Sequence, residues 1–149
     1  MAAGGAGARP AAAAGSGVGV ATGTGLVELT PAAAALRFTG SAFLGAGKFG
    51  SVSRRTDTAT GVAIAVKTSL RPLGGRELEA ALREVTVMAG AGAHPRIVRY
   101  IAHWRETDGK LSMAMSLVDG QHLAAYVVAE VAAGRWTVAR ARDLALDIV

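Results

Sequence analysis

Lys67 and Glu84 carry opposite charges 17 positions apart, and a glycine-rich stretch, Leu44-Gly45-Ala46-Gly47-Lys48-Phe49-Gly50-Ser51-Val52, lies upstream of both. Lys67 closes the apolar run Val62-Ala63-Ile64-Ala65-Val66. In a strand buried on both faces an ammonium is costly unless a counter-charge meets it. Glu84 sits on the edge of a helical apolar stripe beside Met88, where its carboxylate can turn toward the sheet. The spacing fits a strand, a loop and two helical turns. A lysine held in this way grips the α- and β-phosphates of a nucleotide, and a glycine loop lets backbone N–H groups approach the same phosphates closely.

Gly45-Ala46-Gly47-Lys48-Phe49-Gly50 matches GxGxxG, but the match alone is weak. With 20 glycines in 149 residues, it arises by chance in roughly one such chain in three. Context decides. A dinucleotide fold needs a helix opening at the third glycine, whereas Ser51 to Arg55 reads as a strand. A GxxxxGK[ST] loop fails because Phe49 follows Lys48 and Ala42 occupies the place of its first glycine. What remains is strand, glycine loop, strand, with Val52 two residues past the last glycine.

The elements that must hold these groups can be read in turn. Thr56 to Gly61 is a turn between two strands, and Val62 to Lys67 is the second of them. Pro72, Gly74 and Gly75 end that segment. Leu78, Ala81, Leu82, Val85, Met88 and Ala89 recur at helical spacing over Glu77 to Ala89, and Gly90 and Gly92 stop the helix. Ile97 to Trp104 and Leu111 to Leu117 are strands joined by the hairpin turn Glu106-Thr107-Asp108-Gly109-Lys110. Gln121 to Ala133 reads as a helix, and Thr137 caps a last one striped by Val138, Ala141, Leu144, Ala145 and Ile148. Leu111, Met113 and Met115 alternate as a buried strand, and Trp104 is expected in the core. The order predicts an α+β domain.

Residues 1–25 hold 17 Ala or Gly with Arg9 as the only charge. They lack the bulky side chains that offset ordering entropy, so residues 1–37 are expected to form a disordered Ala/Gly-rich tail. The texture changes at Phe38, and a domain from there onward buries about two-thirds of its unfolded surface. The net charge of +5 comes from basic residues spread along the chain, mostly as isolated arginines, with no run of five like charges, which argues against a nucleic-acid partner. The absence of cysteine excludes disulfides and thiolate metal sites. His103 and His122 have no metal-ligand spacing, and no apolar run of about 18 residues predicts a membrane span.

The strings LGAGKFGSV, IAVK, ALREV and HPRIVRY resemble the amino-terminal lobe of eukaryotic protein kinases. VKTSLRPLGG followed by ALREV and HPRIVRYIAHW resembles the Wee-type cell-cycle inhibitory kinases in particular. A second similarity is to the kinases of the translation initiation factor two alpha subunit. The resemblance implies a five-stranded antiparallel sheet with helix αC, then the first helices (αD and the start of αE) of a second lobe. It divides residues 38–149 into a lobe over 38–117, a hinge over 116–120 and the start of the second lobe over 121–149.

The resemblance also implies ATP as ligand. Gly45, Gly47 and Gly50 would cradle phosphate, and Leu44, Val52 and Ala65 would enclose adenine. Met115 would stand behind the base as gatekeeper, and the Ser116 carbonyl and Val118 N–H would bond its edge. Lys67 and Glu84 would form the phosphate-positioning ion pair. His94 would be the strand-entry histidine before Pro95. The implied partner is a protein substrate, for the Wee type a cyclin-dependent kinase, in the nucleus or cytoplasm.

Three departures stand out: Ser116 where an acid is common, Arg55 where a small residue is usual, and Gln121 in place of a glycine. Neither His-Arg-Asp nor Asp-Phe-Gly occurs in the 149 residues. Those strings supply the base and the magnesium ligands of phosphoryl transfer. Arg142-Asp143-Leu144 imitates one of them, but Ala141 replaces the histidine and Ile148 the asparagine. Asp143 is therefore expected to be a solvated helix acid. The chain is expected to be the front part of a kinase, inactive alone, with Mg2+ held only by a further lobe. The competing expectation is a short non-catalytic nucleotide-binding or docking module that exposes the Val138–Ile148 stripe.

Overall fold

The computed structural model of the chain describes residues 20–22, 25–92 and 94–148. Its elements are β1 (Val20–Thr22), β2 (Leu26–Leu29), α1 (Pro31–Arg37), β3 (Phe38–Gly47), β4 (Gly50–Asp57), β5 (Val62–Thr68) and α2 (Gly75–Gly90). There follow β6 (Tyr100–Arg105), β7 (Leu111–Ser116), α3 (Leu123–Ala132) and α4 (Val138–Ile148). All seven strands join one sheet in the order β1-β2-β6-β7-β5-β4-β3.

The expected five antiparallel strands are present as β3, β4, β5, β7 and β6. The sheet is wider than five, however. β2 adds to the free edge of β6 in parallel, with Glu28 opposite His103 and Leu29 opposite Trp104, and β1 pairs with β2. This corrects the expectation of a disordered tail over residues 20–22 and 25–37, whereas residues 1–19 and 23–24 lie outside the described residues. Leu26, Val27 and Leu29 carry enough apolar surface to pack against the core. Thr30 then caps α1 by accepting from Ala33 N–H at 3.2 Å, with Pro31 in the first helical turn.

Alternation along the strands, broken in β6 by a register shift between Tyr100 and Ala102, divides the core into two faces. Ile64, Val66, Ala102, Trp104 and Ala114 form one, roofed by Ala34 and Phe38. Phe38 and Trp104 stack with ring centroids 5.5 Å apart. Tyr100, Leu111 and Met113 form the other, closed by Val85 of α2. The end of α1 is fastened to the end of β4, where Arg37 donates to Asp57 through Nε at 3.0 Å and Nη2 at 2.9 Å.

The strand expected from Ile97 begins only at Tyr100, because a turn after His94 intervenes. The His94 carbonyl accepts from Ile97 N–H, and His94 Nδ1 accepts from Arg96 N–H, each at 3.2 Å. The hairpin turn between β6 and β7 falls where expected, with Gly109 at φ 83°, a conformation open to glycine at little cost. α3 and α4 are braced by local contacts: Glu130 accepts from Arg135 at 2.7 Å, and Arg140 Nη2 donates to the Tyr126 hydroxyl at 2.8 Å. Among the described residues no helix is long and apolar enough to cross a membrane.

Candidate nucleotide site

Strand register assembles the site. Gly45 lies opposite Val52, Val52 opposite Lys67 and Lys67 opposite Met113, so the four form one row across β3, β4, β5 and β7. Directly paired residues in antiparallel strands project to the same face. Ala65 and Met115 pair in the adjoining row of that face, again beside Tyr100. Five of the expected contact residues (Gly45, Val52, Lys67, Ala65 and Met115) are thus brought onto two neighbouring rows. Leu44 is offset at an irregularity between Phe43 and Gly45, and it is half exposed.

α2 lies over this face and supplies Glu84. Lys67 Nζ donates to Glu84 Oε1 at 2.9 Å. Neither partner is deeply buried, the side chains being 29% and 53% exposed. A pair in so wet a setting contributes about 0–1 kcal/mol to stability. Its geometric result is that the ammonium points into the space between the glycine hairpin and α2.

The three glycines differ. A Cβ on Gly50 would lie 2.5 Å from the Thr68 carbonyl oxygen, so the base of the hairpin is pressed against β5. On Gly45 or Gly47 a Cβ would meet nothing within 4 Å. Only Gly50 is required by the packing of the chain itself, and the space beside Gly45 and Gly47 is open.

A cavity of about 570 Å³ opens next to the ion pair, between the hairpin tip, β5 and the first half of α2. Lys48, Phe49, Lys67, Ala81, Glu84 and Met113 are among its lining residues. Of the expected nucleotide contacts Lys67 alone borders it; Leu44, Val52, Ala65, Met115, Ser116 and Val118 do not. Sequence reasoning did not single out Lys48 and Phe49, although their place inside the glycine loop was the available signal.

Beyond β7 the chain is pinned once more before it leaves the sheet. Ser116 N–H donates to the Arg99 carbonyl at 2.8 Å, and Ser116 Oγ accepts from Arg99 N–H at 2.9 Å. Val118, two residues on, is exposed. Asp143 lies on α4, its side chain 63% exposed and 3.3 Å from Arg142 Nη2, remote in kind from a buried base. Val138 is exposed at the start of the same helix; side chains from residue 145 onward lie outside the described ones.

Comparison with known proteins places this geometry. The protein kinase domain family matches residues 38–149. The chain is 44% identical over 66 residues to Wee1-like protein kinase 2 of Xenopus tropicalis, covering 44% of this chain and 12% of that protein. It is 46% identical over 66 residues to the Gallus gallus protein of the same name, with the same two coverages. Against the Danio rerio protein it is 44% identical over 68 residues, 45% of this chain and 13% of that one. The matched stretch therefore spans about an eighth of the length of these relatives. The chain belongs to the protein kinase family, and within it the resemblance is to the Wee-type kinases.

Proposed function

We propose that this chain forms the ATP-gripping part of a Wee-type protein kinase. The observation that carries the reading is the Lys67–Glu84 pair at 2.9 Å, set beside a glycine hairpin with open space at Gly45 and Gly47. ATP phosphates would occupy that space: backbone N–H groups of the hairpin and the Lys67 ammonium would meet them, and Glu84 would keep the ammonium in place. Val52, Ala65 and Met115 would enclose the adenine, Leu44 would flank it, and the Ser116 carbonyl and Val118 N–H would bond its edge.

The residues present grip nucleotide but do not supply the acceptor base or the magnesium ligands. The 149 residues alone are expected to give no phosphoryl transfer, since loss of the base by itself costs about 10²–10⁴ in rate. Mg2+ and a protein substrate, for the Wee type a cyclin-dependent kinase, would be engaged by a complete kinase domain.

A titration with fluorescently labelled ATP tests the reading. Saturable binding should weaken about tenfold or more in Lys67→Ala, the effect of losing charge-assisted hydrogen bonds. No saturable binding in the parent chain, or binding indifferent to Lys67→Ala, would refute it.

A further inference from the structure

α2 carries Glu84, yet little holds the helix. Val85 is its one fully buried side chain, and the Lys67–Glu84 pair is too exposed to fix sixteen residues by itself. The loop before it is tied down, because Arg105 Nη2 donates to the Leu73 carbonyl at 2.9 Å and Leu73 N–H donates to the Gly109 carbonyl at 3.1 Å. That tie lies more than a turn from Glu84.

Besides Tyr100 of β6 and Leu111 and Met113 of β7, the support near Glu84 includes β2, which precedes the kinase-family match beginning at residue 38. Leu26 packs into the cluster formed by Val85, Tyr100, Leu111 and Met113, together with Ala81, Leu82 and Met88 of α2. Tyr100 belongs to that cluster and also fastens β2. Its hydroxyl accepts from Val27 N–H at 3.1 Å, donates to the Val27 carbonyl at 2.8 Å and lies 2.7 Å from His103 Nδ1. One aromatic side chain therefore joins the added strand to the helix turn next to Glu84.

We infer that β2 is a positioning brace for α2: Leu26, held in register by Tyr100, sets the turn that presents Glu84 to Lys67. Residues outside the catalytic family's own boundary would then govern how well the lysine is held. Whatever withdraws β2 from the edge of β6 would release Glu84, while the antiparallel sheet stays intact.

The test compares the full chain with Leu26→Ser, Leu26→Met and Tyr100→Phe by two readouts. The first is amide hydrogen exchange without nucleotide. Leu26→Ser should speed exchange in α2 around Glu84 by fivefold or more and leave β5 and β7 unchanged, with Leu26→Met close to the parent. The second rests on the nucleotide reading above. Labelled-ATP affinity should fall severalfold in Leu26→Ser, and no further when Leu26→Ser is added to Glu84→Ala, because both act through one contact.

Unaltered α2 exchange, equal loosening of β5 and β7, or the same loss of affinity with and without Glu84 would each overturn the brace. If the parent binds no nucleotide, the proposed function falls and the exchange comparison alone decides the brace. If Leu26→Ser does not fold, Tyr100→Phe, which keeps the ring and removes only the hydroxyl, is measured in the same two ways, with the same results supporting or overturning the brace.

Discussion

Replacing Gly50 by alanine isolates what the glycine hairpin owes to packing from what it owes to a ligand. The new Cβ would lie 2.5 Å from the Thr68 carbonyl oxygen and 3.2 Å from its carbon. Both are main-chain atoms, so no side chain can swing aside. Relief requires β4 and β5 to part locally by about half an ångström or more, at the place where Ser51 pairs with Thr68 and Val52 with Lys67. Overpacking of this kind costs about 1–3 kcal/mol. In a domain of this size that is a fall of roughly 4–12 °C in melting temperature.

Thermal unfolding followed by circular dichroism measures it, with Gly47→Ala as the control. The Gly47 Cβ meets nothing within 4 Å, so that variant should melt within about 0.5 kcal/mol of the parent. Gly47→Ala should nevertheless weaken labelled-ATP binding, since it fills the space assigned to phosphate. A Gly50→Ala chain that melts with the parent would refute the claim that the hairpin base is sterically fixed. A Gly47→Ala chain that binds like the parent would refute the assignment of the open space.

Three further outcomes follow from buried polar groups. Asp57, 3% exposed and accepting from Arg37 and from Ala59 N–H, should cost about 2–3 kcal/mol when changed to alanine, read by urea unfolding. Trp104→Phe keeps the stack on Phe38 but removes the 2.7 Å bond to Glu106, for a loss of about 1–2 kcal/mol by the same measurement.

The third outcome is a pH dependence. Burial holds the His103 imidazole below its ordinary 6.5, against the opposing pull of Glu28. The unfolded chain then takes up the proton more readily than the folded one, so stability is full above pH 6.5 and declines as pH falls from there through the folded value. Urea midpoints measured across that window should show the decline, and His103→Gln should flatten it.

The Lys67–Glu84 ion pair was more legible than the frame around it. The spacing of Lys67 and Glu84 placed them in reach of each other, although the ammonium proves only partly buried, so the burial argument that pointed to a partner overstated the need for one. The β4–β5 turn and the β6–β7 hairpin were readable because Asp and Gly mark local geometry. β2 was hidden by its surroundings: four residues, Leu26 to Leu29, follow an Ala/Gly tract and find their place only by pairing with β6, some 75 residues downstream. No local pattern encodes a contact of that range. The start of α1 did carry a local sign in Thr30-Pro31, a capping residue followed by a proline suited to the first turn. The steric demand at Gly50 was illegible for another reason. The obstacle is a carbonyl on a neighbouring strand, and sequence does not reveal how closely strands approach.

The parallel pairing of β2 on β6 has a practical side. Without it, β6 would present a row of unsatisfied N–H and C=O groups along the rim of the sheet, flanked by Ile101. Such a rim recruits strands from other molecules. A chain trimmed to residue 38, where the family begins, would therefore be sticky, and the twelve or so residues before that point act as a built-in selvedge that keeps one copy of the lobe from knitting to the next.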